Sequence, residues 1–587
     1  MAIAYATIQQ AGAEYRYARR NEMQSGFSGL CARRFCFSVS ILQTNIDAGP
    51  HSPRRNQSDL LMKTSMKKAS MGLLLAAASA CFSSSFAATQ PASPAVHLPP
   101  GIAWQQGDID AAFARAKHSN KPLLLYWGAV WCPSCNQVKA SVFSQQVFKD
   151  RSSFFVPVYL DGDAENAQKL GERFKVRGYP TMILFRPDGT EVTRLPGEAD
   201  LDRYMQALSL GMNATHPFKQ TLAAALRDGA ALKPDEWRML ADYSWDTDGG
   251  LPVPGERVAQ TLQTLAAHAR ADHAPKEALR FALKAAVTAA DGEPAQQGEL
   301  DKAAGLAALQ ATLNDPRLSR EQSDVLVAAP ADLVRWLGKD AAERARLSQA
   351  YDAALTRLST DASLSAIDRT IALHGRVSLA RLAAPKGAPL PAPLLDTVRK
   401  QVSATTQAAT NPYEHAAVVS EGADALTDAG LYDDSDALLE AELPRSSTPY
   451  YFMSGLAANA KARGDKAAAL EWYRKAYEAT SGSATRLRWG ATYLANAVTL
   501  APEDSTRIEG IASGVLNQVG QTRNAFYGAN RRALSKVVTQ LVQWNKDGRH
   551  EGAVKSVVKQ FEGVCGKLPA GDPQTSTCHD LIQPAKA

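Results

Sequence analysis

Two cysteines with two residues between them, Cys132-Pro133-Ser134-Cys135, carry the clearest chemistry in this chain. The nucleophile of sulfur chemistry is the thiolate, and a free thiol with a pKa near about 8.5 is mostly protonated at neutral pH. A helix start changes this, because its unpaired N–H groups and its dipole favour a negative sulfur. The residues after the pair keep helical spacing through about Lys149. Cys132 is therefore expected at a helix N-terminus as the attacking and more exposed cysteine. Cys135, one turn in, is expected to resolve a mixed disulfide. Pro133 suits the first turn, where the N–H it lacks would have no partner. Three other readings of the pair stay open. It is half of a zinc site, although four ligands are needed and no second C-x-x-C exists; or it is a purely structural disulfide; or the domain is kept for binding alone.

Elements able to position such a pair surround it. Ile109, Ala112, Phe113 and Ala116 recur at helical spacing. The apolar run Pro122 to Trp127 is short enough for a buried strand. After the motif, Phe154 to Leu160 is rich in strand formers and 164–176 reads as a helix. Gly178-Tyr179-Pro180-Thr181 precedes a strand from Met182 to Phe185. Pro187-Asp188-Gly189 is a hairpin signal before the return strand Glu191 to Leu195, and 199–210 closes the unit as a helix.

That order resembles a thioredoxin-like domain over 100–211, and LLLYWGAVWCPSC is similar to the exported thiol:disulfide interchange branch. The resemblance implies an α/β fold, a central mixed sheet flanked by helices. It implies a cis Pro180 against the cysteine pair, Tyr179 offering backbone groups to an extended substrate, and Trp131 packed beside the reactive sulfur. The chain departs from the family at two places. Tyr126 stands where thioredoxins carry a buried acid, and Val130 where an acid usually precedes the tryptophan. Pro133-Ser134 matches neither the Gly-Pro of thioredoxins nor the Pro-His of strong oxidants, so the reduction potential is not fixed by the motif.

From about residue 218 the composition turns to Ala, Leu, Arg, Asp and Glu, with Gly or Pro mainly between helical stretches. An α-helical region over 218–383 and a second over 395–563 are expected, divided by the Pro-rich break Ala384 to Pro393. Residues 456–479 resemble a tetratricopeptide repeat, with Gly464-Asp465 at the turn and Ala469-Leu470, Tyr473 and Ala476 as packing points. Gly430 lies one 34-residue period earlier. Pro275 to Ala285 resembles the second helix of such a unit, and Gly548 followed by Ala553 hints at another pair. Helix pairs of this kind stack because one pair alone cannot bury its apolar stripe, and the resulting surface is expected to bind a protein or to serve as plain scaffold. At the C-terminus Cys565 and Cys578 bracket a Pro/Gly/Ser/Thr loop within a tail over 564–587; a structural disulfide is expected, with a second redox pair as the alternative. His579 beside Cys578 is too little for a metal site.

Residues 62–87 have the order of a secretory signal: three lysines, an apolar stretch from Met71 to Ala80, then small residues ending at Ala87. Residues 1–61 are read as a non-native extension and 88–99 as a linker. A periplasmic or secreted chain follows, with lipid attachment at Cys81 as an alternative. Charge agrees with this division. The 587 residues carry 65 basic and 59 acidic side chains, a net charge of +6. Seven arginines against four acids lie in 1–61 and three lysines in 62–87, which leaves 55 of each sign in the remainder. The case for a nucleic-acid binder thereby disappears. Export also leaves four cysteines, an even number, in an oxidising compartment; Cys31, Cys36 and Cys81 go with the leader.

No G-x-x-x-x-G-K-[ST], H-E-x-x-H or G-x-S-x-G is present. The sequence reads as an exported thiol–disulfide oxidoreductase, in the reductase direction, with no cofactor, no metal and no membrane span in the mature chain. Its partners are an exported protein substrate with cysteines and an electron donor that the sequence does not name. The alternative is a helical interaction scaffold with an accessory α/β domain.

Overall fold

The computed structural model describes residues 98–586 except 198–199, 228–230 and 293–299. The expected extension, the signal with its cleavage after Ala87, the lipidation alternative at Cys81 and nearly all of the linker lie outside the described residues.

Helix α1 (Ile109–Ser119) starts where the Asp108 carboxylate accepts the N–H groups of Asp110 and Ala111, and it stops at Asn120 in the left-handed conformation. It leads into β1 (Leu123–Gly128), every residue of which is buried, the mark of a central strand. Helix α2 (Pro133–Val138) follows the cysteine motif and passes into a π-helical turn, Lys139–Phe143. The single helix expected to Lys149 is thus three pieces, completed by α3 (Gln146–Ser152). The break follows from the wider turn, whose carbonyl at Lys139 accepts both the N–H and the hydroxyl of Ser144.

Strand β2 (Val156–Asp161) pairs parallel with β1, while β3 (Thr181–Phe185) pairs antiparallel with it and β4 (Glu191–Leu195) antiparallel with β3. The sheet order is β2-β1-β3-β4. Between them α4 (Ala167–Arg173) is shorter than the 164–176 expected. Gly189, with φ +88°, makes the β3–β4 hairpin, and α5 (Leu201–Met212) closes the unit. The mixed sheet flanked by helices is the fold that the sequence called for. One of its faces buries Tyr126, Phe143, Phe148 and Tyr204; the other buries Trp127, Leu160 and Ile183.

A large helical region follows, with its own apolar core through Trp237, Phe281, Leu309 and Tyr351. The helix Ala366–Ala383 stops at the Pro-rich break, and the helix Ala392–Ala408 begins inside it, ahead of the expected residue 395. Gly430, Gly464 and Gly548 have φ of +77°, +83° and +76° at the turns of three helix pairs, a backbone state that favours glycine. In the second pair Ala469, Leu470, Tyr473 and Ala476 are buried, and Asp465 caps the helix by accepting the Ala468 N–H.

The C-terminal residues are not a loose tail. Cys565 ends the helix Glu551–Cys565 and Cys578 lies inside the helix Gln574–Lys586, with their sulfurs bonded at 1.98 Å and Cα atoms 5.7 Å apart. Cys578 and Ile582 are buried from that helix, so tertiary packing overrides the weak helix preference of its Ser, Thr and Pro residues. No helix of the described residues is long and apolar enough to cross a membrane.

Candidate active site

Cys132 caps the N-terminus of α2. Its sulfur accepts the Cys135 N–H at 3.4 Å, and Pro133 occupies the first turn. The Tyr179–Pro180 bond is cis, and the Tyr179 carbonyl oxygen lies 3.8 Å from the Cys132 sulfur. Trp131, Pro133, Ser134, Cys135, Tyr179 and Pro180 therefore come together around Cys132, whereas Cys565 and Cys578 sit in the separate core of the C-terminal helices. Among the described residues no three His, Cys, Asp or Glu side chains are grouped as metal ligands.

Cys132 is the more exposed of the two cysteines, as expected, but only just: its accessibility is 5%, against 0% for Cys135, so both are buried. The cause is the helical region, which folds over the motif. Trp131 is held on three sides, its ring 4.9 Å edge-on from Trp489, 6.3 Å from Tyr451 and 4.7 Å beneath the Arg488 guanidinium. Its indole N–H donates to the Thr485 hydroxyl at 2.8 Å. That hydroxyl donates in turn to the Asp163 carboxylate at 2.5 Å, and the Thr485 N–H reaches the other carboxylate oxygen at 2.8 Å. Gly482, with φ +88°, lets this turn approach, since a Cβ there would stand 2.4 Å from the Asp163 carboxyl carbon. On another side the Gln137 amide donates to Asp368 at 2.9 Å. The N-terminus of the Gly528–Trp544 helix receives Gln168, whose oxygen accepts the Ala529 N–H at 2.7 Å.

Cys132 still faces open space. With Pro133, Ser134 and Gln137 it lines a narrow cleft of about 70 Å³, whose wall also carries Ile367, Ile371 and Ala417 of the helical region. Cys135 is not among the lining residues.

The electrostatics belong to the pair. Burial pushes the Cys132 thiol well above its ordinary value. Cys135 is held below its own despite burial, because the Cys132 thiol donates to it and the Lys139 ammonium faces it. The two sulfurs thus accommodate one negative charge and resist a second. Tyr126 places a fully buried hydroxyl beside Cys135, and that hydroxyl has no hydrogen-bond partner among the described oxygen and nitrogen atoms. Asp163 is pushed up to about 6 by burial, against the pull of the Thr485 hydrogen bonds. Sequence reasoning missed Lys139, Thr485 and Asp163. Lys139 had a signal, a lone charge four residues after Cys135 in an apolar stretch; Thr485 had none, since nothing local links it to residue 131.

A thioredoxin-like domain profile matches residues 109–211. Residues 109–211 are a thioredoxin-like domain. The chain is 31% identical over 118 residues to the thiol:disulfide interchange protein DsbD 1 of Pseudomonas aeruginosa, covering 18% of this chain and 20% of that protein. It is 34% identical over 107 residues to the thiol:disulfide interchange protein DsbD of Pseudomonas fluorescens, covering 17% of each. A protein disulfide-isomerase of Schizosaccharomyces pombe is 28% identical over 93 residues, 16% of this chain and 25% of that one. The chain spans a quarter or less of the length of these relatives. The thioredoxin-like domain is thus shared with proteins named for disulfide exchange, and the helical region lies outside the matched residues.

Proposed function

We propose that the protein is an exported, periplasmic thiol–disulfide oxidoreductase working as a protein-disulfide reductase, with the helical region selecting and orienting its substrate. One observation carries the reading: Cys132 caps α2 beside the Tyr179–Pro180 bond and lines the cleft, with Cys135 behind it. Cys132 passes its proton to the Cys135 sulfur it hydrogen-bonds and attacks a substrate disulfide, forming a mixed disulfide and releasing one substrate thiolate. Cys135 gives that proton to the released thiolate and attacks the Cys132 sulfur. The Cys132–Cys135 disulfide forms, the mixed disulfide breaks, and the second substrate thiolate leaves with the electron pair. A dithiol protein donor must restore the reduced pair. Tyr179, through its backbone, and Trp131, through its contacts with Tyr451 and Trp489, shape the approach to the sulfur.

The test is reduction of insulin by the purified protein, with Cys132→Ser as control. Activity of the wild type lost in the variant is the expected result, and equal rates overturn the reading. Cys135→Ser, which stalls at the mixed disulfide, is expected to retain exported proteins in non-reducing gels.

A second reading is a tetratricopeptide-like interaction scaffold with an accessory thioredoxin-like domain. The 5% accessibility of Cys132 favours it. Partner binding that survives Cys132→Ser, together with absent insulin reduction, would select this alternative.

A further inference from the structure

Lys139 follows Cys135 by four residues and Cys132 by seven, so the three share one face of the helix that begins at the motif. It is 1% exposed, among the most deeply buried large side chains of the molecule. The described residues offer its ammonium no ion pair. The ring of Tyr413, on the Pro412–Asp428 helix, lies 5.5 Å from the ammonium, and Asp161 acts on it from the end of β2 at longer range. Tyr126 from β1 and Tyr159 from β2 add uncharged hydroxyls near the same sulfurs. An isolated ammonium taken out of water is strongly disfavoured unless an opposite charge faces it. The charges that act on Lys139 are those of Cys135 and Cys132, and then Asp161. The backbone holds it there, because the π-helical turn starts at Lys139 and anchors its carbonyl to Ser144 twice. π turns of this kind are frequent at functional sites.

We propose that Lys139 is the counter-charge of the redox pair, its ammonium stabilising whichever of the two sulfurs bears the thiolate. This rests on the oxidoreductase reading of Cys132 and Cys135. A fixed positive charge lowers the pH at which the reduced pair loses its first proton. It also stabilises the reduced pair against the disulfide, whose sulfurs bear no charge, and so makes the protein a stronger oxidant than it would be without it. Lys139 is a positioning charge and forms no bond to substrate.

The test is Lys139→Met in the full chain, read by ultraviolet thiolate absorbance against pH and by equilibration with glutathione buffers. The thiolate midpoint is expected to rise by about one to three pH units. The balance with glutathione is expected to shift toward the disulfide by up to about tenfold per unit, which is about 30 mV for each factor of ten. A folded variant with an unchanged midpoint and an unchanged balance overturns the proposal. Should Lys139→Met fail to fold, the wild type decides by carbon-13 NMR of labelled lysine. The Lys139 amine is expected to titrate at higher pH in the reduced than in the oxidised protein, and equal midpoints overturn the proposal. Insulin reduction by the wild type separates the two readings: a protein inert toward insulin but with a Lys139-dependent midpoint loses the enzyme assignment and keeps this one.

Discussion

The indole nitrogen of Trp131 and the hydroxyl of Thr485, 354 residues apart in sequence, are joined by a hydrogen bond of 2.8 Å. The residue immediately before Cys132 is thereby held by the helical region, and access to the sulfur becomes a property of both parts of the chain. Thr485→Val leaves the Trp131 N–H and one Asp163 oxygen buried without their partner. A stability loss of about 1–3 kcal/mol is expected in denaturant titration. Alkylation of Cys132 by iodoacetamide should speed up as the roof loosens, and an unchanged rate would show that the contact does not gate access. Gly482→Ala should act in the same direction, because its Cβ meets the Asp163 carboxyl and its φ of +88° strains any side chain.

Asp163 gives this contact a pH dependence of definite sign. Its carboxyl moves from an ordinary 3.8 to about 6 on folding, so the folded state prefers the protonated form. The group costs nothing below about pH 4, and its cost grows to about 3 kcal/mol as pH rises through 6. Asp163→Asn keeps the acceptor for the Thr485 N–H and removes the titration. Melting curves of variant and wild type should therefore converge near pH 4 and separate above pH 6, with the variant more stable. Parallel curves at all pH values would contradict the buried-charge account.

His374 works in the opposite window. Burial alone would lower its pKa, but Glu421 at 2.6 Å and Asp428 at 2.9 Å raise it to about 10. A histidine raised on folding stabilises fully below its ordinary 6.5, and that stabilisation fades as pH climbs through 10. His374→Gln should cost several kcal/mol at pH 6 and little at pH 10. A loss that is constant across this range would place the effect in packing instead of charge.

The Cys565–Cys578 bond closes a short loop, the two cysteines being 13 residues apart. Replacing both by serine should lower stability by about 3 kcal/mol. The thiolate midpoint of Cys132 and Cys135 is expected to stay where it was. A shift in that midpoint would mean that the two pairs communicate, as a relay would require.

The thioredoxin-like domain was legible because its signals are local. A buried apolar run, a proline-containing C-x-x-C, an X-Pro before a strand and a Pro-Asp-Gly turn each act within a few residues. The glycines at 430, 464 and 548 were legible for the same reason, each standing where a helix reverses. What could not be read was set by distance. The burial of Cys132 depends on Thr485, Trp489 and Tyr451, and no spacing rule connects those to residue 132. The π turn at Lys139 was hidden for another reason: the segment's helical period is the same on paper whether one turn carries an extra residue or not. The sequence places a loop between Cys565 and Cys578 and a tail beyond it, because Ser, Thr and Pro content hides the two buried helix positions, Cys578 and Ile582, that only the folded core reveals.

The buried disulfide between the last two helices bears on how such a molecule survives its own chemistry. On the oxidoreductase reading, a protein that exchanges disulfides and carries one itself would be exposed to cutting its own brace. Here Cys565 and Cys578, 1% and 0% exposed, are embedded in the hydrocarbon of the C-terminal bundle, apart from the cluster that holds Cys132 and Cys135. Depth of burial does not distinguish the two pairs, so it is their separation into different cores that sets the brace apart from Cys132 and Cys135.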